Sequence, residues 1–272
     1  MMRALYTAAT GMQAQQRNID TTANNLANVN TTGFKKSTIQ FQDLLYYNER
    51  NAGVPSSIST QVPVGIHVGH GVKFVSTDKV HTQGNLENTG NDLDLSIDGM
   101  GFFQILQPNG IIAYSRDGHF NVDGLGRLVT NDGMLMDPEI NIPSDTRKVQ
   151  VGLDGTVSIF LRDENLPEAL GSIQLARFQN PSGLTPIGKN LYLSTPASGN
   201  AIVDSPGSGN MGSLTQGFLE RSNVSLVEEM VNMITAQRAY EVNSKAIQSA
   251  DQMLQNTNNL VCLLYTSPSP RD

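Results

Sequence analysis

Tryptophan is absent from this 272-residue chain, and Cys262 is its only cysteine. A single thiol excludes an intrachain disulfide and leaves no cysteine-based metal site. No apolar run reaches the ~18 residues a membrane helix needs, and the first residues lack the apolar core and small-residue cleavage site of a secretory signal. Neither membrane insertion nor a cleaved leader is expected. With a net charge of -7 and no basic block, nucleic acid is excluded as a partner. Neither a GxSxG elbow nor an HExxH helix occurs, and the acidic residues are scattered without an acid/base pair. The chain is read as a non-enzyme with no catalytic residues, no cofactor and no metal. A hydrophobic share of 38% against 16% charged residues is nevertheless ordinary for a chain that buries a core.

Three local patterns imitate ligand sites and fail on chemistry. Asp94, Ser96, Asp98 and Gly99 open like a calcium loop, but Ile105 stands where a bidentate Glu is needed. Gly183, Gly188 and Lys189 resemble a phosphate loop, yet Asn190 replaces the hydroxyl that would hold magnesium, and a strand-like run follows. His67 and His70 have no third ligand at suitable spacing, so they read as loop histidines.

What the chain does have is periodicity at both ends. Leu5, Met12, Ile19 and Leu26 stand seven apart, and so do Leu226, Met233, Tyr240, Ile247 and Leu254. An apolar residue at every seventh position returns to one side of a helix and forms a seam for a coiled-coil partner. Each end is the other's expected partner; a plain helical hairpin capping a β domain is the alternative that periodicity leaves open. Ser225 and Glu228 form a capping box at the start of the second helix. Ala236, Asn243 and Ala250 occupy the companion positions, small or polar residues that allow close approach but bury little apolar area, so neighbouring copies are expected to complete the packing.

Between the ends the pattern changes. Asn28, Asn30, Thr31, Thr32 and Gly33 end the first helix near Val29, and residues 46–65, with two prolines, read as an extended loop of the kind that meets a neighbour. From there Asp98-Gly99, Asn109-Gly110, Asp117-Gly118, Asp123-Gly124, Asp132-Gly133 and Asp154-Gly155 punctuate short apolar runs, an all-β signature in which glycine supplies positive φ. Strands are predicted at 102–106, 111–115, 127–130, 149–153, 156–161, 172–178 and 190–194, and Leu93, Leu95 and Ile97 alternate with Asp92, Asp94, Ser96 and Asp98 like a strand with one buried face. The predicted fold class is α+β: N- and C-terminal helices forming a discontinuous coiled-coil domain with an inserted all-β domain. Its divisions are 1–34 for the first helix, 35–72 for a connector holding 46–65, 73–221 for the β domain, 222–261 for the second helix and 262–272 for a foreign-looking tail.

Three blocks in this order resemble the axial rod and hook proteins of the bacterial flagellum: TAATGMQAQQRNIDTTANNLANVNTTGFKKS (7–37), HTQGNLENTGNDLDLSIDGMGFFQI (81–105) and VEEMVNMITAQRAYEVNSKAIQSADQML (227–254). The first carries the motif Asn24, Asn25, Leu26, Ala27, Asn28, then Gly33 and Phe34. Residues 46–65 are similar to the inserted segment of the distal rod, assigning a stiffening role to Tyr46, Asn51, Val54, Pro55, Gln61 and Pro63, and 112–130 also looks rod-like. Tyr6 stands where the family has Trp, and CLLYTSPSPRD (262–272) has no counterpart.

The resemblance implies a structural subunit that polymerises helically with copies of itself into a rigid hollow shaft. Its expected partners are proximal rod and hook proteins at the two ends, possible surrounding rings, and the flagellar type III export apparatus, which takes substrates without a cleaved signal and places them across the periplasm. A proximal rod or hook protein is the alternative within the family; an exported adhesin on a coiled-coil stalk is the alternative outside it.

Overall fold

The computed structural model describes residues 2–53, 55–57, 60–61, 63–162 and 166–265. Two helices, α1 (Met2–Ala27) and α2 (Leu226–Tyr265), lie at the ends of the chain, with short strands between them. The α+β class is therefore as expected. Helix α1 stops where the Asn/Thr cluster begins, its last carbonyls taken up by turn bonds from Asn28 to Asn25 and from Val29 to Leu26. Helix α2 starts directly after Ser225 and carries Glu228 and Glu229 in its first turn, where the helix dipole favours acidic groups. It runs past residue 261 into the segment that looked foreign, and residues 266–272 of that segment lie outside the described residues.

The chain divides into two compact units. The first takes its residues from Met1–Asn24, Thr38–Asp78 and Val227–Asp272, the second from Asn25–Ser37 and Lys79–Leu226. In the first, strand Ser37–Asp43 pairs with Val72–Lys79, and Tyr46–Arg50 pairs antiparallel with Ile66–Gly69, Tyr46 opposite Gly69. A short pair, Pro55–Ser57 with Thr60–Gln61, lies between them. The extended loop read at 46–65 is thus largely a β ribbon: Tyr46, Tyr47, Ile66 and Val68 are strand formers whose ladder outweighs the turn residues around them. Arg3 lies over the Tyr47 ring at 4.8 Å, and Gly71 leaves room for Thr10 of α1.

The second unit is built on a nine-stranded sheet in which Phe102–Leu106 is central, pairing antiparallel with Ile112–Ser115, Leu135–Asp137 and Leu175–Arg177. Phe103, Ile105, Phe120, Val157, Leu175 and Leu214 form its main core. Every strand expected between 102 and 194 has a counterpart, several shorter than predicted. Three-residue strands such as Phe120–Val122 and Ile202–Asp204 lacked enough apolar alternation to be read in advance.

Two local expectations are corrected. Strand Leu95–Asp98 is buried on both faces as far as Ile97, with Asp98 exposed: Ser96 bonds the Thr215 carbonyl, and Asp94, just before the strand, is held by Thr89, Asn91 and His119. Polar residues with partners can occupy an inner face at little cost. Nor do all the Asx-Gly glycines serve positive φ: Gly110 and Gly155 do, at 80° and 84°, whereas Gly118 is needed because a Cβ there would overlap the Leu95 carbonyl oxygen.

Candidate assembly site

The Asn24–Phe34 motif covers the last turn of α1 and the turns after it, and from Asn25 onward it belongs to the second unit. Asn25 is buried and acts as a substitute for backbone: its Nδ2 donates to the Ser37 carbonyl and its Oδ1 accepts from the Ser37 amide, both at 2.9 Å. The Asn28 Oδ1 accepts from the Thr31 hydroxyl at 3.2 Å and tightens the turn. Gly33 has φ 65°, and a Cβ there would come within 2.7 Å of the Arg116 and Asp117 backbone, so both conformation and space demand glycine. Its amide donates to the Glu220 carbonyl at 2.8 Å. The Phe34 ring carries the Lys79 ammonium 4.5 Å from its centroid. Of the remaining motif residues Asn24 and Ala27 are exposed and Leu26 is half-buried.

Beneath the motif lies a buried charge network that the sequence did not reveal. Lys35 is 1% exposed; its Nζ donates to Glu220 Oε1 at 2.5 Å and to the Thr82 carbonyl at 2.8 Å. Arg116 Nη1 reaches Glu220 Oε2 at 3.2 Å, and its Nη2 donates to the Gly99 carbonyl at 2.5 Å. Burial pushes both cations below their usual pKa values while Glu220 pulls them back. Asn223, three residues before α2, accepts from the Lys36 amide at 2.8 Å and donates to the Val80 carbonyl at 2.8 Å. Lys35 and Lys36, after α1, and Glu220 and Asn223, before α2, are thus bonded to the same strip, residues 80–84. Lys35 and Glu220 lie 185 positions apart, and no spacing rule links such positions.

His81 adjoins this network. Its ring meets Phe102 and Tyr192 edge-on, with centroids 5.6 and 5.7 Å away. Neither ring nitrogen has a hydrogen-bond partner among the described residues. Burial, then Lys35, Arg116 and Lys79, drive its pKa down to about 4, only partly offset by the Pro181 backbone. Burial likewise raises the Tyr192 phenol to about 12.

On the helices, Leu5, Met12, Ile19, Met233, Ile247 and Leu254 are half-buried, while Leu226 and Tyr240 are exposed. Ala236 is fully covered, and Gly11 of α1 faces Asn243 of α2, where a Cβ would lie 3.0 Å from the amide nitrogen. Val227, Met230, Val231 and Ile234 form a second apolar stripe on α2 that is open to solvent. In the ribbon Tyr46, Asn51 and Pro63 are exposed, Pro55 and Gln61 are opposed in register, and Val54 lies outside the described residues. Among the described residues no group of His, Cys, Asp and Glu could hold a metal, and no helix is long and apolar enough to cross a membrane.

Three family models match in chain order. They are a flagella basal body rod protein at residues 5–35, the D1 domain of the flagellar hook proteins FlgE/F/G at 96–159, and the C-terminal region of the flagellar basal body rod FlgEFG proteins at 215–260. Helices at both ends of the chain and a β unit between them in sequence, with these matches, define a structural axial protein of the flagellum and not an enzyme. Flagellar basal-body rod proteins FlgG match across nearly all of both chains. The protein of Borreliella burgdorferi is 50% identical over 262 residues, 96% of this chain and 99% of its own. That of Buchnera aphidicola from Acyrthosiphon pisum is 48% identical over 260 residues, 96% and 100% of the two chains. That of Bacillus subtilis is 39% identical over 270 residues, 96% and 99%. The chain belongs to the FlgG family of flagellar basal-body rod proteins and is a structural subunit of the flagellar rod.

Proposed function

We propose that the chain forms the distal rod, a rigid hollow shaft that transmits motor torque to the hook and conducts exported subunits through its bore. Helices α1 and α2 pair as a coiled coil along Leu5, Met12, Ile19 and Leu26 on one side and Leu226, Met233, Tyr240, Ile247 and Leu254 on the other. The observation that carries this reading is the apolar surface of α2: Met233, Ile247 and Leu254 are half-buried at heptad spacing, and about a quarter-turn round the helix stand the exposed Val227, Met230, Val231 and Ile234. A helix with two apolar faces needs more cover than one partner helix gives, and head-to-tail copies supply it in an open helical polymer.

The ribbon within 46–65 lies against adjacent copies and blocks the sliding that lets a hook bend. Its exposed Leu45, Tyr46, Tyr47 and Val64 support that role, being a large apolar surface for a free strand pair. Proximal rod proteins and the hook protein cap the two ends of the polymer, rings surround it, and the subunit reaches the periplasm through the type III apparatus without a cleaved signal. Electron microscopy of basal bodies from cells lacking this protein tests the assignment. Short rods without hooks are expected; complete rods lacking only hooks move the chain to the hook, and normal flagella refute the reading.

A further inference from the structure

A cleft of about 560 Å³ opens beside the buried charge network, lined by His81, Gln83, Gly99, Met100, Arg116 and Ser182 among others. Four buried side-chain nitrogens lack a hydrogen-bond partner among the described residues, and three of them, both ring nitrogens of His81 and Nε of Arg116, belong to walls of this cleft. Buried donors are almost always satisfied in native proteins, so Arg116 Nε and the one His81 nitrogen that carries the neutral ring's proton mark a position for a missing acceptor. We propose that this cleft binds a carboxylate, supplied in the polymer by an acidic side chain of a neighbouring copy.

Charge selects the ligand. Lys35, Lys79 and Arg116 act together on His81, and among the described residues Glu220 pairs with Lys35 and Arg116 while Lys79 has no carboxylate partner of its own. Tyr192, the other titratable group against the ring, stays neutral. The local surplus of positive charge is held in place by backbone carbonyls of Thr82, Gly99 and Lys35, which accept hydrogen bonds but do not neutralise it. An incoming carboxylate removes the surplus, accepts from Arg116 Nε, and accepts from a ring N–H once the imidazole turns toward the cleft. A cation is repelled, and a neutral amide leaves the charge uncorrected. The chain has 25 acidic against 18 basic residues, so a second copy brings carboxylates to any contact more often than ammonium groups. The identity of the donor rests on the rod reading; the site itself does not.

The test uses the full-length chain in two arms. In the first, histidine ring resonances of the soluble protein are followed against pH in sodium acetate and in sodium chloride of equal strength, with His81→Phe assigning the signal. Acetate is expected to raise the His81 midpoint by about one unit or more, as an opposite charge within contact distance does. Absence of any acetate-specific response overturns the site, leaving the orphan nitrogens to water. In the second arm, rods assembled in cells by His81→Phe and His81→Gln chains, each first shown to melt cooperatively, are expected to be shorter or fewer than wild type. Acetate binding with normal rods overturns the neighbour as donor. A wild-type chain that makes no rod refutes the rod reading and leaves the acetate result standing.

Discussion

Acidification should weaken the second unit through one residue, His81, and the size of the effect can be worked out. The folded ring titrates at about 4 against an ordinary value of 6.5. Between those values the unfolded chain binds a proton that the folded chain refuses, so stability falls as pH falls below 6.5. For this pair of values the loss is about 2 kcal/mol at pH 5 and about 3 kcal/mol at pH 4, and nothing is lost above pH 7. Urea unfolding of the soluble chain, in buffers without carboxylate, gives stability at each pH for wild type and for His81→Phe, which keeps the edge-on ring contacts. Carboxylates held low by their partners, such as Asp123 and Asp154, also lose stability as pH falls, but they are common to both proteins and cancel in the difference. The variant's curve is expected to be flatter by about 2 kcal/mol between pH 7 and pH 5. Parallel curves would refute the reasoning, because the ring would then be titrating alike in both states.

Glu220→Gln leaves Lys35 and Arg116 buried without their counter-charge and should cost about 3–5 kcal/mol in urea unfolding. Adding Lys35→Met to it should cost less than the sum of the two single changes, the signature of a shared network. Gly33→Ala forces a side chain into positive φ at about 1–3 kcal/mol and adds a clash with the Arg116 backbone, so a markedly lowered melting temperature is expected. Gly11→Val should leave urea unfolding of the β unit nearly unchanged while preventing rod formation seen by electron microscopy, since it thickens α1 at its contact with Asn243.

Periodicity and turn chemistry made the outline legible. Heptads marked both helices, and Asx-Gly pairs separated by apolar runs marked most of the larger sheet. Signals failed where the deciding partner is distant in sequence. Asp94 and Ser96 looked outward because alternation says nothing of a second covering layer, and the ribbon at 46–50 and 66–69 was masked by prolines and small residues in its turn. The motif Asn24–Phe34 was recognised by resemblance alone; that Asn25 imitates a strand partner and Gly33 sits against Arg116 needed coordinates. Lys35 and Glu220 stand next to Lys36 and Arg221, and nothing in the local sequence marks either for burial.

The separation of 185 positions between Lys35 and Glu220 also sets an order in time. During synthesis, Lys35 and Arg116 emerge long before the carboxylate that makes their burial tolerable, and the strip that receives Lys35 and Lys36 is incomplete until Glu220 and Asn223 arrive. A chain interrupted anywhere before that point holds two cations that its core must reject. Completion of the polypeptide is thereby written into the fold as a condition of its stability.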